Sequence, residues 1–385
     1  MISMRPLLNP KTTVAITAFW QRQWRSLSGA FEQGDDNFLL LRLIAASMVI
    51  YAHSYPLSGM HKADIFVRNG WGTNAGAIAV NLFFCVSGFL VTGSLVRWNN
   101  TVAFIKARAL RLFPAYAVCL LVCAYMLGPA VTSLPLDAYL HNASTHSYVT
   151  GNLGLRHMQH TLPGVFESLP YTGAVNGSIW TLPAEATMYL WLAALGTFGF
   201  FRRTWLATCA VLALALVASR YWLDMPVLSV NPRYLPFATM FAIGVLAYLH
   251  RSRIPLGHLG MLASVTVAWA THRSIFGNAT LLLAQAYFCF WFAYCVPWRG
   301  FNRLGDYSYG VYLWGFPCQQ FVVLWLGHPR PAQICLLALP MALALALVSW
   351  HVVEQPALRL KKWSLLRTFF ENRQAYERAV PSTPE

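Results

Sequence analysis

Charge is scarce in this 385-residue chain: only 11% of its residues are Asp, Glu, Lys or Arg, against about 25% in soluble domains. Acidic residues are the scarcest, at 13. With 57% hydrophobic residues and 15 Trp, that shortage excludes an ordinary water-soluble domain. The eight cysteines include no CxxC pair and no His/Cys ligand spacing, so they read as small buried hydrophobes and no metal site is expected. A search for basic patches interleaved with aromatics finds only loop clusters between apolar runs. The net charge of +15 therefore needs no nucleic acid, because polytopic membrane proteins collect Lys and Arg in cytoplasmic loops. No cleavable signal is expected, since the first apolar run begins near residue 38 and is too long for a signal h-region. No internal repeat and no second soluble domain is visible.

What the chain has is apolar runs. Ten are long enough to span a bilayer, at about 38–54, 77–96, 110–128, 179–200, 204–222, 233–250, 256–272, 279–297, 307–327 and 332–353. Counting Lys and Arg in alternate loops gives 20 on one side and 7 on the other, with Arg42 inside a span. That asymmetry orients the bundle with its basic loops in the cytoplasm. The expected fold is therefore all-α, a polytopic integral membrane protein of about ten transmembrane helices with both termini cytoplasmic. Residues 1–36 form a cytoplasmic N-terminal segment, in which Lys11 to Phe31 could lie as an interfacial helix or trail as a floppy tail. Residues 37–354 form the membrane domain, and 355–385 a cytoplasmic tail. The longest loop, 129–178, falls outside. Its histidines, His141, His146, His157 and His160, have no carboxylate or Cys partners at ligand spacing and read as solvated polar residues.

Few ionisable residues lie in or at the ends of these runs. Arg42 and His53 share the first, eleven residues apart. At about 100° and 1.5 Å per residue they project from one side of the helix, ~16 Å apart along its axis. Such groups face a protein interior or a wet cavity, unless the arginine snorkels to one interface and the histidine caps the other end. Glu185 enters the fourth span at a depth similar to that of His53. A carboxylate there can orient an imidazole, or simply bond the loop backbone near Trp180. Arg108 and Arg111, at i and i+3, share a helix face at the start of the third span. With Lys106 they make an anion site at a helix N-terminus, or ordinary cytoplasmic anchoring. Asn81, Ser87 and Gly88 place small and polar groups mid-span. Asp306, Tyr307, Ser308, Tyr309 and Tyr312 precede or open the ninth span, where an aromatic girdle is the plain reading.

Taken in order, these segments resemble the acyltransferase-3 family of bacterial membrane O-acyltransferases. The signatures are Arg42 and His53 with ten residues between them, Leu82 to Leu90 as a LFFxxSGFL segment, and Arg108, Arg111 and Pro114 as RxxRxxP. They continue with Trp180, Thr181, Leu182 and Glu185 as W-[ST]-L-x-x-E, Ser308 to Trp314 as SYxxYLW, and Glu354 and Pro356 as an E-x-P ending. The matches run from about residue 37 to 360. Family members often carry a histidine directly after YLW, where this chain has Gly315. The resemblance implies a multi-pass protein of the bacterial inner membrane that moves an acyl group, commonly acetyl, from cytoplasmic acyl-CoA to a hydroxyl. The acceptor implied is a glycan or glycolipid, and no cofactor is permanently bound. It also implies His53 as the leading catalytic residue, with Arg42 supporting the donor or the active-site path.

The expected mechanism places the donor's phosphates at Arg108 and Arg111, with Lys106 nearby. His53 acts as general base on a sugar hydroxyl, and Glu185 steadies the imidazole. A covalent acyl-histidine relay is the variant. The rival from another class is a transporter or flippase of a glycan or small solute, since bundles with a few buried charges serve both roles. Dependence on acyl-CoA separates the two. A membrane scaffold leaves the buried polar residues unexplained.

Overall fold

The computed structural model describes residues 25–60, 64–221 and 234–360. The basic lead-in through Trp24, residues 222–233 and the tail from Lys361 lie outside the described residues. A helix occupies each of the ten apolar runs: α1 Phe38–Leu57, α2 Ala75–Trp98, α3 Thr101–Val122, α4 Leu182–Thr197, α5 Thr204–Tyr221, α6 Leu235–Leu249, α7 His258–Thr271, α8 Gly277–Cys295, α9 Ser308–Leu326 and α10 Pro331–Ser349. Among the described residues, four helical stretches are both long and apolar enough to cross a membrane: Phe38–Leu57, Ala75–Trp98, Thr101–Val131 and Pro331–Leu360. The two longest continue α3 and α10 through π-helical turns at Cys123–Leu127 and Trp350–Glu354. Among the described residues, sheet is confined to the antiparallel pair β1 (Arg25–Ser26) and β2 (Pro255–Leu256) and two isolated bridges.

Of the stretch Lys11 to Phe31, the part through Trp24 lies outside the described residues. The chain is extended at Arg25–Ser26 and then turns into a short helix, Leu27–Glu32, whose N-cap is the Ser26 hydroxyl. Leu27 and Ala30 bury completely beneath the bundle, and Phe31 packs edge-on against Phe89 and Tyr248.

Side-chain caps set the other boundaries. The Asn74 side chain accepts from Ala77 N at the start of α2. Asn99 ends that helix in the left-handed region, φ 46°, and Asn100 caps α3 at once by accepting from Ala103 N. The third helix therefore begins nine residues before the apolar run at 110. Arg108 and Arg111 consequently lie inside a helix, and the expected anion site at a helix N-terminus is corrected: Thr101, not Arg108, opens α3.

The bundle is centred on α1, α2 and α9. α2 lies against α6, α1 and α8, and α9 lies against α10 and α1. The α2–α6 crossing is backbone on backbone. A Cβ on Gly88 would stand 2.1 Å from the Phe241 carbonyl oxygen, and one on Gly244 would stand 2.2 Å from that of Cys85. Small residues permit this approach where lipid provides no hydrophobic drive between helices. The stretch from Thr132 to Ser178 folds over one end of the bundle, with a short helix at Ala143–Leu153 and bridges Thr132–Val165 and Thr161–Ala174.

Candidate functional site

One charged cluster and two cavities lie along α1. The arginine end is built from four elements. Arg42 of α1 reaches the Asp306 carboxylate, Nη1 to Oδ2, at 3.0 Å. Arg111 of α3 spans two carboxylates, with Nη2 on Asp306 Oδ2 at 2.5 Å and Nη1 on Glu354 Oε2 at 2.9 Å. Glu354 is aimed inward by the π-helical turn after α10, and its other oxygen accepts from the Ser349 hydroxyl at 3.0 Å. Asp306 is delivered by a turn just before α9. Gly305 takes φ 111° there, where a Cβ would strike the Trp350 ring at 2.5 Å. The second Asp306 oxygen accepts from the amide and hydroxyl of Ser308. Burial pushes the Asp306 carboxyl up, but the guanidiniums of Arg111 and Arg42 outweigh it and hold it below the usual carboxylate range. The Tyr309 and Trp350 rings flank the Arg111 guanidinium at 5.4 and 5.9 Å.

Beside this lattice lies a cavity of about 270 Å3 lined by Arg42, Arg108, Arg111, Ser87 and Glu185 among others. Arg108 differs from its neighbours. It is in no ion pair among the described residues, its Nε is buried without a hydrogen-bond partner, and its guanidinium lies 5.9 Å from the Tyr189 ring. Lys106 is exposed and does not line the cavity.

The second cavity, of about 930 Å3, holds His53 with Tyr55, Asp64, Asn74, Trp180 and Tyr312 on its walls. His53 Nδ1 is buried without a hydrogen-bond partner, and its ring meets the edge of Phe316 at 5.3 Å. Around it, Gln319 of α9 donates to the Ile50 carbonyl at 2.7 Å and to the Ser54 hydroxyl at 2.8 Å, locking α9 to the histidine's helix. Asp64 accepts from three backbone amides, those of Phe66, Val67 and Ala75, which ties the loop after α1 to the start of α2. Val80 and Tyr312 line both cavities.

The structure thus brings Arg42, Arg108, Arg111 and Glu185 together and leaves His53 in the neighbouring chamber. The expected pairing of Glu185 with His53 does not form. Glu185 lines the arginine cavity and accepts from the Tyr189 hydroxyl one turn along its own helix. Asp306 and Tyr312 stood out in the sequence only as members of a cluster whose plain reading is an aromatic girdle, and Glu354 only in a family signature. The clustered GDYSYGVYLW segment and the E-x-P ending were their only signals. Gly315 packs against α1: a Cβ there would stand 2.8 Å from Ile50 Cγ1. Ile50 fills the space a side chain at 315 would need. In the long loop, His146 shares a hydrogen bond with Tyr125 and His160 with the Asn176 carbonyl.

The acyltransferase-3 family profile, described as an acyltransferase domain, matches residues 36–351. Nodulation protein 10 of Rhizobium leguminosarum bv. viciae is 28% identical over 363 residues, covering 85% of this chain and 94% of that protein. An O-acetyl transferase of Shigella phage Sf6 is 27% identical over 339 residues, covering 82% and 93%. No solved structure matches the chain.

Proposed function

The chain belongs to the acyltransferase-3 family, and from that premise we propose that it is a membrane O-acyltransferase that moves an acyl group, acetyl by preference, from acyl-CoA to a hydroxyl of a glycan or glycolipid. The name of the phage relative, an O-acetyl transferase, supports the group transferred. The observation that carries the reading is the pair of chambers along α1, one lined by arginines and one holding His53, meeting at Val80 and Tyr312. A donor with anionic phosphates and a neutral acceptor hydroxyl call for such a division.

In this reading all ten helices span the bacterial inner membrane, and the excess of Lys and Arg in alternate loops puts the arginine end and both termini in the cytoplasm. Arg108 is the cation available to the donor's phosphates, and a guanidinium suits them through charge-assisted hydrogen bonds. Arg42 and Arg111, already engaged by Asp306 and Glu354, frame the chamber. The acyl thioester reaches toward His53. An imidazole nitrogen takes the proton of the acceptor hydroxyl as its oxygen attacks the thioester carbonyl carbon. The carbon–sulfur bond then breaks, the new ester forms, and the CoA thiolate leaves and takes up a proton. General-base catalysis of this kind contributes about 10²–10⁴-fold. Glu185 acts on the donor side, through Tyr189 and beside Arg108.

The test is release of CoA from acetyl-CoA in membrane vesicles supplied with extracts of host glycans. Wild type should release CoA and leave acetyl on a glycan, and His53→Ala should lose both. His53→Ala protein, present in the membrane at normal levels and transferring at the wild-type rate, would overturn the proposal.

A further inference from the structure

We propose that Val80 and Tyr312 form the constriction through which the acyl group passes between the chambers, and that the rigidity of this constriction sets the acyl-chain length the enzyme transfers. The inference rests on the acyl-transfer reading above and adds to it a specificity-determining pair.

Both residues line both cavities, so they stand where the two chambers adjoin, on the short way from the arginines to His53. Tyr312 is pinned at three points. Its hydroxyl donates to the Ser178 carbonyl at 2.7 Å and lies 2.6 Å from Thr181 Oγ1. Its ring packs edge-on against Phe83, centroids 5.8 Å apart. The ring cannot swing aside without giving up buried hydrogen bonds. Val80 is β-branched and has little rotamer freedom on a helix. Behind them, Phe84 of the arginine cavity and Phe237 of the histidine cavity stack at 5.3 Å. No long unbranched side chain stands among these groups to yield to a bulkier guest. The lining at this point is also largely apolar, which suits an acyl methyl and holds phosphates back among the arginines. A short acyl group passes such a gap. Each further methylene must displace a held side chain.

The experiment uses the full-length protein in liposomes with acetyl-, butyryl- and hexanoyl-CoA, each labelled in the acyl group, and a host glycan extract as acceptor. Free CoA binding is measured on the same samples. In wild type, transfer should fall steeply from acetyl to hexanoyl. Val80→Ala should raise the hexanoyl-to-acetyl ratio by about tenfold, the scale on which a hydrophobic pocket discriminates single methylenes, with CoA affinity unchanged. Tyr312→Phe keeps the ring and removes its two hydroxyl anchors, so it should raise the ratio to a smaller extent and serves as the test should Val80→Ala fail to bind CoA. Val80→Phe should suppress transfer of every chain while CoA still binds. A ratio that stays at the wild-type value in both Val80→Ala and Tyr312→Phe, with acetyl still transferred, overturns the constriction alone. Absence of wild-type transfer from any acyl-CoA overturns the acyl-transfer reading and the constriction with it.

Discussion

Replacing Asp306 by Asn should be among the most damaging conservative changes in the protein, although Asp306 stands outside the helices. Its carboxylate is the partner of Arg42 at 3.0 Å and one of two partners of Arg111 at 2.5 Å. The side chains involved are only 22%, 15% and 11% exposed for Arg42, Arg111 and Asp306. Removing one partner of a buried pair leaves an uncompensated charge and costs about 3–5 kcal/mol. Two features push the value to the low end: Glu354 still holds Arg111, and asparagine keeps one acceptor oxygen. We expect about 3 kcal/mol, which is roughly a hundredfold in the folded-to-unfolded ratio. A convenient assay is chemical denaturation in detergent with a thiol-reactive dye. Cys85, Cys119, Cys123, Cys289 and Cys318 are buried and free and report unfolding, against a baseline set by the labelling of folded wild type. In a double-mutant cycle, Arg42→Gln should cost less on the Asp306→Asn background than alone, by about 1 kcal/mol or more. Unfolding of Asp306→Asn at the wild-type denaturant concentration would refute the reasoning.

Other expectations follow from the same geometry. Because Arg111 and Arg42 hold the folded Asp306 carboxyl below its ordinary value of 3.8, its stabilising contribution is complete above about that pH and is lost as pH falls through the lower folded value. The stability gap between wild type and Asp306→Asn should therefore be full at neutral pH and shrink in acid, read from denaturation midpoints across pH. Arg108→Ala should weaken acyl-CoA binding by about 10- to 100-fold through loss of charge-assisted hydrogen bonds, whereas Lys106→Ala, on the exposed face, should leave it near wild type; titration with acetyl-CoA measures both. Gly88→Ala drives a methyl into the Phe241 carbonyl and should destabilise by about 1–3 kcal/mol or more, seen as a lower midpoint in the dye assay.

The placement of Arg42 and His53 was legible because one helix carries both, and helical period and rise alone fix their relation. Gly88 was legible as a small mid-span residue at a close helix approach. Lys106 stays outside the arginine cavity for a reason the same period supplies: two positions from Arg108 it points to another face of the helix. Glu185 lines the arginine cavity rather than that of His53, because equal depth in a membrane says nothing about which helices are neighbours. The Arg111–Asp306 and Arg111–Glu354 pairs join positions 195 and 243 residues apart, and no local pattern encodes which arginine meets which carboxylate. The start of α3 was placed late because hydropathy locates where a run becomes apolar, while Asn100 decides where the helix begins.

In the proposed function, donor and acceptor work from opposite ends of α1, the donor at the arginines and the acceptor at His53. The most direct measurement uses sealed vesicles of known orientation loaded with host glycans and given labelled acetyl-CoA on the outside only. Inside-out vesicles, with the cytoplasmic face outward, should acetylate the enclosed glycans in a His53-dependent manner, and right-side-out vesicles should not. Acetylation of enclosed glycans by right-side-out vesicles alone would contradict the account.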